Sequence, residues 1–372
     1  MIKKIIYFFI GISLIFRFSE ESIIQPSHIG MILLIITNFI YSIYERRINI
    51  NFSFDIKIVI FCLIYFSLIN LLNSNQNFSI LYILNPLALL LAYLTTYMSN
   101  NRLEIIKYIF NGACLAYIIS VLFGIYSFIE NPSLRITGLS GTPNHIGMQG
   151  LILLALSLVF YQLNNNYLIL GRIFFFFGAG LSLSRSALAG LALFLIVNFK
   201  NIFINKKAFL ISLIIIPFAI ILLTQSSLLS YFSSFELMQI SNLIERRLVI
   251  FGSADESGRG IYRLLEYPQY LIFGASEMRT YFYGDSFVGF IHNNVAQMWF
   301  AFGLPGLLLS IHQLYLITKL TSYKGILLLG PFLLTHFVYQ NFLYNFYIMS
   351  LIILCQTNSS LINYNSQPKI EG

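Results

Sequence analysis

The chain has 372 residues, of which 58% are hydrophobic and only 10% charged, against about 25% charged in an ordinary soluble domain. That composition excludes a soluble globular protein, and the net charge of +8 reads as the bias of Lys and Arg toward cytoplasmic loops, with no nucleic-acid partner. The three cysteines, Cys62, Cys114 and Cys355, all fall inside apolar runs, so neither a disulfide framework nor a metal site is expected.

Apolar runs of about 18 residues recur along the whole length, each long enough to cross a bilayer. The alternation of a membrane barrel is absent. The expected class is therefore an all-α polytopic membrane protein, residues 1–372 forming a single integral membrane domain. The first run follows Lys3 and Lys4 and meets Arg17-Phe18-Ser19-Glu20, which offers no small-residue cleavage site, so it reads as a retained span and not a signal peptide. The expected spans are 5–18, 28–44, 56–72, 78–98, 105–129, 144–162, 167–183, 186–199, 208–224, 291–317, 325–340 and 342–356, about twelve with both ends inside. Short polar links such as Asn73-Ser74-Asn75-Gln76-Asn77 and Asn164-Asn165-Asn166 separate them.

Residues 167–199 pose a choice. One helix of that length would run about 50 Å, too long for a single crossing; a hairpin at Ser184-Arg185-Ser186 gives two short crossings. The hairpin puts every lysine inside (positions 3, 4, 57, 107, 200, 206, 207, 319, 324 and 369), whereas a single helix moves Lys200 and all later ones outside. The positive-inside rule selects the hairpin. The arginines then divide: Arg46, Arg47, Arg102 and Arg172 inside; Arg17, Arg135, Arg185 and five more (Arg246, Arg247, Arg259, Arg263, Arg279) outside. Outward Arg without outward Lys calls for a chemical reason. Guanidinium is a rigid fork of donors that matches phosphate in two-point contact. The alternative is ordinary loop arginine paired with acids, and the loop carries Glu236, Glu245, Asp255, Glu256, Glu266, Glu277 and Asp285.

Residues 225–290 form the one large polar stretch, inserted between spans nine and ten. Before span six, Arg135 and Gly138-Leu-Ser-Gly141-Thr-Pro-Asn144 offer tight turns and a cap at Asn144, whose helix N-terminus is an anion seat; turn, cap and solvated Arg135 is the plain alternative. His145 has no evident partner. Ser182 to Gly190 is rich in small residues that let membrane helices approach closely, which accounts for everything there but Arg185. In the loop, Arg259 and Arg263 lie four apart on one short helix that stops before Pro268. Glu266, three beyond Arg263, is placed to neutralise it, leaving Arg259 as the anion clamp and Arg263 between ligand and ion pair. His292-Asn293-Asn294 opens span ten, which Gly303-Leu-Pro305-Gly306 bends. An imidazole there titrates near neutrality and is placed to accept a proton from a hydroxyl. His28, His312 and His336 have no such company and receive no role.

In order, Arg135, Gly138, Pro143-Asn144, Ser184-Arg185-Ser186, Ser257-Gly258-Arg259, Gly274, His292-Asn293 and Gly303 to Gly306 resemble the O-antigen polymerase and O-antigen ligase superfamily over residues 135–306. The resemblance implies a metal-independent, inverting membrane glycosyltransferase without cofactor. It further implies action at the periplasmic face of the bacterial inner membrane on polyprenyl-pyrophosphate-linked oligosaccharides. It implies Arg185, Arg259 and His292 as the catalytic trio, with Arg135, Asn144, Arg263 and Asn293 contacting the lipid pyrophosphate or glycan. The partners it implies are membrane lipid and, as a candidate, a chain-length regulator. The family often has a Trp soon after the loop arginine, where this chain has Tyr262 and Tyr267. The short chain and its Phe/Tyr/Ile/Asn-rich make-up favour polymerase over ligase, and a lipid-linked glycan flippase is the reading from another class.

Overall fold

The structure, a computed structural model, describes residues 2–18, 25–45, 53–73, 80–130, 136–160, 163, 168–182, 184–204, 263–277, 282–283, 286–287, 294–319, 323–334, 346–347 and 350–354. The expected span at 208–224, loop residues 225–262 and part of the last span lie outside them.

The described chain is helical apart from one two-residue antiparallel hairpin, β1 (Phe282–Tyr283) with β2 (Ser286–Phe287). Its helices are α1 (Ile2–Ser13), α2 (Pro26–Glu45), α3 (Phe54–Leu72), α4 (Leu81–Met98), α5 (Arg102–Glu130), α6 (Pro143–Val159), α7 (Leu168–Leu181), α8 (Arg185–Ile204), the single turns α9 (Arg263–Glu266) and α10 (Tyr270–Phe273), then α11 (Asn294–Lys319) and the short α12 (Leu329–Leu334). Four helices, at 26–44, 54–72, 102–129 and 294–319, are long and apolar enough to cross a membrane. Shorter apolar helices lie between them.

Two expected spans differ. The first, placed at 5–18, is helical only to Ser13. Leu14 and Ile15 then donate back three residues to Gly11 and Ile12 in a tightened turn. The chain beyond is claimed by tertiary partners, Ile15 O accepting from Gln149 and Arg17 N donating to Leu139 O. Of the span placed at 325–340, the described part is a 3-10 stretch (Tyr323–Leu328) followed by α12, and residues 335–340 lie outside the described residues. Pro331 has no N–H for the carbonyl four residues back, and Gly325 and Gly330 weaken the helix on either side.

Interhelical bonds fix the direction of each helix. Lys4 at the start of α1 meets Glu104 at the start of α5 (2.7 Å). Asn70 near the end of α3 donates to Tyr82 O at the start of α4 (2.9 Å). Tyr117 of α5 donates to Ile146 O in the first turns of α6 (2.9 Å), and Ile136 N to Leu181 O at the end of α7 (3.4 Å). Asp55 at the start of α3 meets Lys319 at the end of α11 (3.4 Å) and His312 (3.6 Å). Helices α1 to α8 therefore alternate up and down, and the N-termini of α2, α4, α6, α8 and α11 share one end.

Close packing comes from small residues, as hydrocarbon offers no hydrophobic drive between helices. A Cβ on Gly11 would lie 2.0 Å from Ile109 O, and one on Gly112 1.9 Å from Phe8 O, so α1 and α5 touch backbone to backbone. A buried chain of polar groups ties α1, α2 and α4: Tyr7 Oη donates to Asn38 Oδ1 (2.6 Å), Asn38 Nδ2 to Thr96 Oγ1 (2.9 Å), and Thr96 Oγ1 to Ala92 O (2.8 Å). Each donor is satisfied inside the bundle, as a low-dielectric interior demands.

Candidate functional site

The two ends differ in their cations. The described lysines on helices, at 3, 4, 57, 107, 200 and 319, all fall at the end where α1, α3 and α5 begin and α8 and α11 finish. Arg102 and Arg172 share that end, and Arg172 is engaged there with the last turn of α6: Nη2 on Ser157 O (2.6 Å) and Nε on Ser157 Oγ (3.2 Å). Arg17, Arg185 and Arg263 lie at the other end, among the helix N-termini.

At that end the loop over α5 turns through two positive-φ glycines, Gly138 (57°) and Gly141 (84°). Leu139 N donates to Ser120 Oγ (2.9 Å), holding the loop on α5. The cap of α6 is Thr142 and not Asn144: its side chain accepts from His145 N (3.3 Å). Pro143 decides this, because its fixed φ suits the first helical position and requires an extended residue before it; Thr142 has φ −131° and ψ 151°. Asn144 stands in the first turn.

The expected hairpin is present. Helix α7 ends at Leu181, Ser184 N donates to Ser182 Oγ (3.2 Å), and Ser184 O takes the first helical bond of α8 from Leu188 N (2.8 Å). Arg185 is the first residue of α8. This turn sits directly on α6, because a Cβ on Gly147 would come within 2.4 Å of Ser182 Oγ and 3.0 Å of Ser184 Cβ and Ala187 Cβ. The N-termini of α6 and α8 thus lie side by side, two partial positive charges at one place.

The end of the long loop docks elsewhere at the same end. Helix α11 breaks at Gly303 (φ 62°, ψ −144°), as the Gly-Leu-Pro-Gly sequence leads one to expect. Pro305 has no N–H for Ala301 O, and the turn at Gly303 interrupts the ladder at Phe300 O. The loop fills both positions: Ala275 N donates to Phe300 O and Ser276 N to Ala301 O, each at 2.9 Å. Trp299 Nε1 donates to Leu271 O (2.9 Å), Tyr65 Oη to Phe273 O (2.8 Å), and Asn70 Oδ1 accepts from Glu277 N (2.9 Å). Residues 263–277 are therefore fastened to α3 and to the first half of α11. Arg263 is 2% exposed, whereas Glu266 is exposed, and no ion pair joins the two among the described residues.

The structure thus brings the helices of Asn144 and Arg185 together and sets Arg263 beside the start of α11. Helix α12 packs between α11 and the α6–α8 pair. Arg135, Arg259, His292 and Asn293 lie outside the described residues.

One cluster was missed from sequence. His145 has a partner after all: the Arg17 guanidinium lies against its ring, with Nη1 on Nδ1 and 3.1 Å from Nε2. Gln149, one helical turn on, donates through Nε2 to Ile15 O (3.1 Å). Gln25 accepts at Oε1 from Phe18 N (3.0 Å), and its backbone N–H donates to His28 Nδ1 (3.1 Å). His28 thus makes the return half of a capping box for α2, in the place usual for Glu, while the Gln25 side chain turns to Phe18. The Gln25-Pro-Ser-His28 spacing was the available signal.

No family model matches the chain, and no curated protein matches it. Fold and site together define an all-α membrane protein with arginines and helix N-termini gathered at one end.

Proposed function

We propose that this protein polymerises lipid-linked oligosaccharide repeat units in O-antigen or capsular polysaccharide synthesis. It does so at the periplasmic face of a bacterial inner membrane. The observation that carries the reading is the separation of cations. Arg17, Arg185 and Arg263 share one end with the N-termini of α2, α4, α6, α8 and α11, and the described helix lysines occupy the opposite end. An end of the bundle that gathers guanidiniums and helix dipoles suits a pyrophosphate.

In the proposed reaction an acceptor hydroxyl on one lipid-linked unit attacks the anomeric carbon of another with inversion. The new C–O bond forms as the bond to the polyprenyl pyrophosphate breaks. His292 takes the hydroxyl proton, and Arg185 and Arg259 stabilise the charge gathering on the leaving pyrophosphate. Arg135, Asn144, Arg263 and Asn293 hold the lipid pyrophosphate or glycan. No metal or cofactor enters this scheme.

Transfer to lipid A–core, the ligase reaction, uses the same chemistry with a different acceptor. A flippase reading is favoured by one feature, the broken helix α11, since transporters often bind cargo at discontinuous helices. The carbonyls freed at that break already accept from Ala275 and Ser276, which weakens it as a cargo site. Deletion followed by gel analysis of surface polysaccharide separates the three. A single repeat on core marks a polymerase, bare core with lipid-linked polymer marks a ligase, and bare core with single repeats trapped on the cytoplasmic side marks a flippase. Arg185→Ala, Arg259→Ala and His292→Ala are each expected to abolish the ladder at normal protein level. A wild-type ladder from all three rejects the site.

A further inference from the structure

The starts of α1 and α5, at the lysine-bearing end, carry more positive charge than the bundle itself uses. Lys3 and Lys4 stand in the first turn of α1, which has no acid, and Arg102, Glu104 and Lys107 lie in the first two turns of α5. Lysines in a first turn oppose the helix dipole, so helix stability does not account for them. Lys4 Nζ meets Glu104 Oε1 (2.7 Å) and lies 5.4 Å from the centre of the Tyr108 ring, while Lys3 Nζ lies 4.7 Å from the Tyr41 ring of α2. Arg102 is drawn toward α4, its Cζ 5.2 Å from the Tyr97 ring. Lys107, three residues past Glu104 and its neighbour on the helix surface, makes no ion pair among the described residues. Lys4 and Lys107 therefore flank one carboxylate, and Lys4 already occupies it.

This cluster is open to its surroundings and borders apolar surface. The side chains of Lys4 and Glu104 are 48% and 40% exposed. Ile5 and Phe9 of α1 are exposed, as are Leu115, Ile119 and Leu122 of α5, each set recurring at helical spacing. Leu115 is seven residues beyond Tyr108, so the α5 stripe runs down to the ring that Lys4 covers. The two stripes stand on helices that touch backbone to backbone at Gly11 and Gly112. Tyr41 and Tyr108 mark the level at which aromatic side chains meet lipid headgroups.

We propose that the starts of α1 and α5 bind one anionic phospholipid from the leaflet at the lysine-bearing end. Its phosphate sits between Lys4 and Lys107, and its acyl chains lie along the two apolar stripes. An ammonium group has three N–H donors, so Lys4 can serve Glu104 and a phosphate together. Lys3, next along the chain, adds to the positive field. Three lysines to one carboxylate leave the site cationic, which draws anionic headgroups. A zwitterionic headgroup would bring its own cation against the lysines. A soluble phosphate would leave the apolar stripes unused. The inference goes beyond the polymerase reading and does not depend on it.

The test uses the full-length protein, delipidated in detergent and titrated under native mass spectrometry. The probes are phosphatidylglycerol and phosphatidylcholine of equal chain length. The wild type is expected to bind one phosphatidylglycerol about thirtyfold more tightly than phosphatidylcholine, the combined worth of two lysines near an anionic headgroup. Lys107→Gln keeps the side-chain length and leaves the Lys4–Glu104 bond in place. It should weaken phosphatidylglycerol binding about fivefold, the worth of one lysine, with phosphatidylcholine unchanged. Lys57→Gln, at an exposed lysine of α3 on the same end, is the control and should change neither. Excess inorganic phosphate should not displace the lipid. Equal affinity for the two lipids, unchanged phosphatidylglycerol binding in Lys107→Gln, an equal loss in Lys57→Gln, or displacement by inorganic phosphate would overturn the proposal.

Discussion

The junction between the loop end and the broken helix α11 can be tested at one atom. In Gly303→Ala the new methyl would lie 2.1 Å from Ile272 O, 2.5 Å from Ile272 C and 2.7 Å from Gly274 N. All three are backbone atoms, so no side chain can swing aside. The residue also has φ 62° and ψ −144°, a region essentially restricted to glycine, which costs other residues about 1–3 kcal/mol. Overpacking adds about 1–3 kcal/mol, for a total of about 2–6 kcal/mol. The strain is relieved by release of residues 270–277 from α11, giving up the bonds from Ala275 and Ser276. The matched control is Gly180→Ala in α7, where the added methyl meets only Leu191 Cδ1 at 3.8 Å and improves helix propensity by up to about 1 kcal/mol. Unfolding by SDS in mixed micelles reports the free energies, and limited proteolysis within 263–277 reports release. Wild-type stability and protease resistance in Gly303→Ala would refute the docking of this segment on the helix break.

Two further outcomes follow from the arrangement of the ends. Arg172→Met removes the charge-assisted bonds to Ser157 O and Ser157 Oγ and should cost about 1.5–3 kcal/mol in the same unfolding assay. Because Arg172 lies at the lysine-bearing end, polymer ladders should be unchanged at equal protein level; a shortened ladder would move Arg172 into the site. Sidedness is read from cysteines placed at Leu265, which is 86% exposed, and at Asn101, exposed between α4 and α5. A membrane-impermeant maleimide should label Leu265→Cys from the side opposite to Asn101→Cys. Labelling of both from one side would break the proposed alternation.

What could be read in advance follows the range of each physical signal. The hairpin before Arg185 and the break at Gly303 are local events, decided by Ser, Gly and Pro within a few residues, and both are present. Which end of the bundle each cation takes is a global property, but one that needs only the parity of the spans: among the described residues the helix lysines share one end with Arg102 and Arg172, and Arg17, Arg185 and Arg263 take the other. The start of α6 was missed by two positions because Asn144 is the better cap in isolation, whereas Pro143 fixes the first helical φ and hands the cap to Thr142. The shortening of α1 had no local cause at all: Ile15 and Arg17 give up helical geometry to partners in α6 and the loop before it, more than 120 residues away. The same distance hid the Arg17–His145 contact, whose partners are 128 residues apart. His145 and His28 looked solitary in sequence because a histidine's company is set by packing between helices, and hydropathy is silent on which faces meet. A polar cluster assembled from three helix ends is therefore the kind of site that span prediction cannot locate. It can only narrow the search to the end of the bundle where such a site must form.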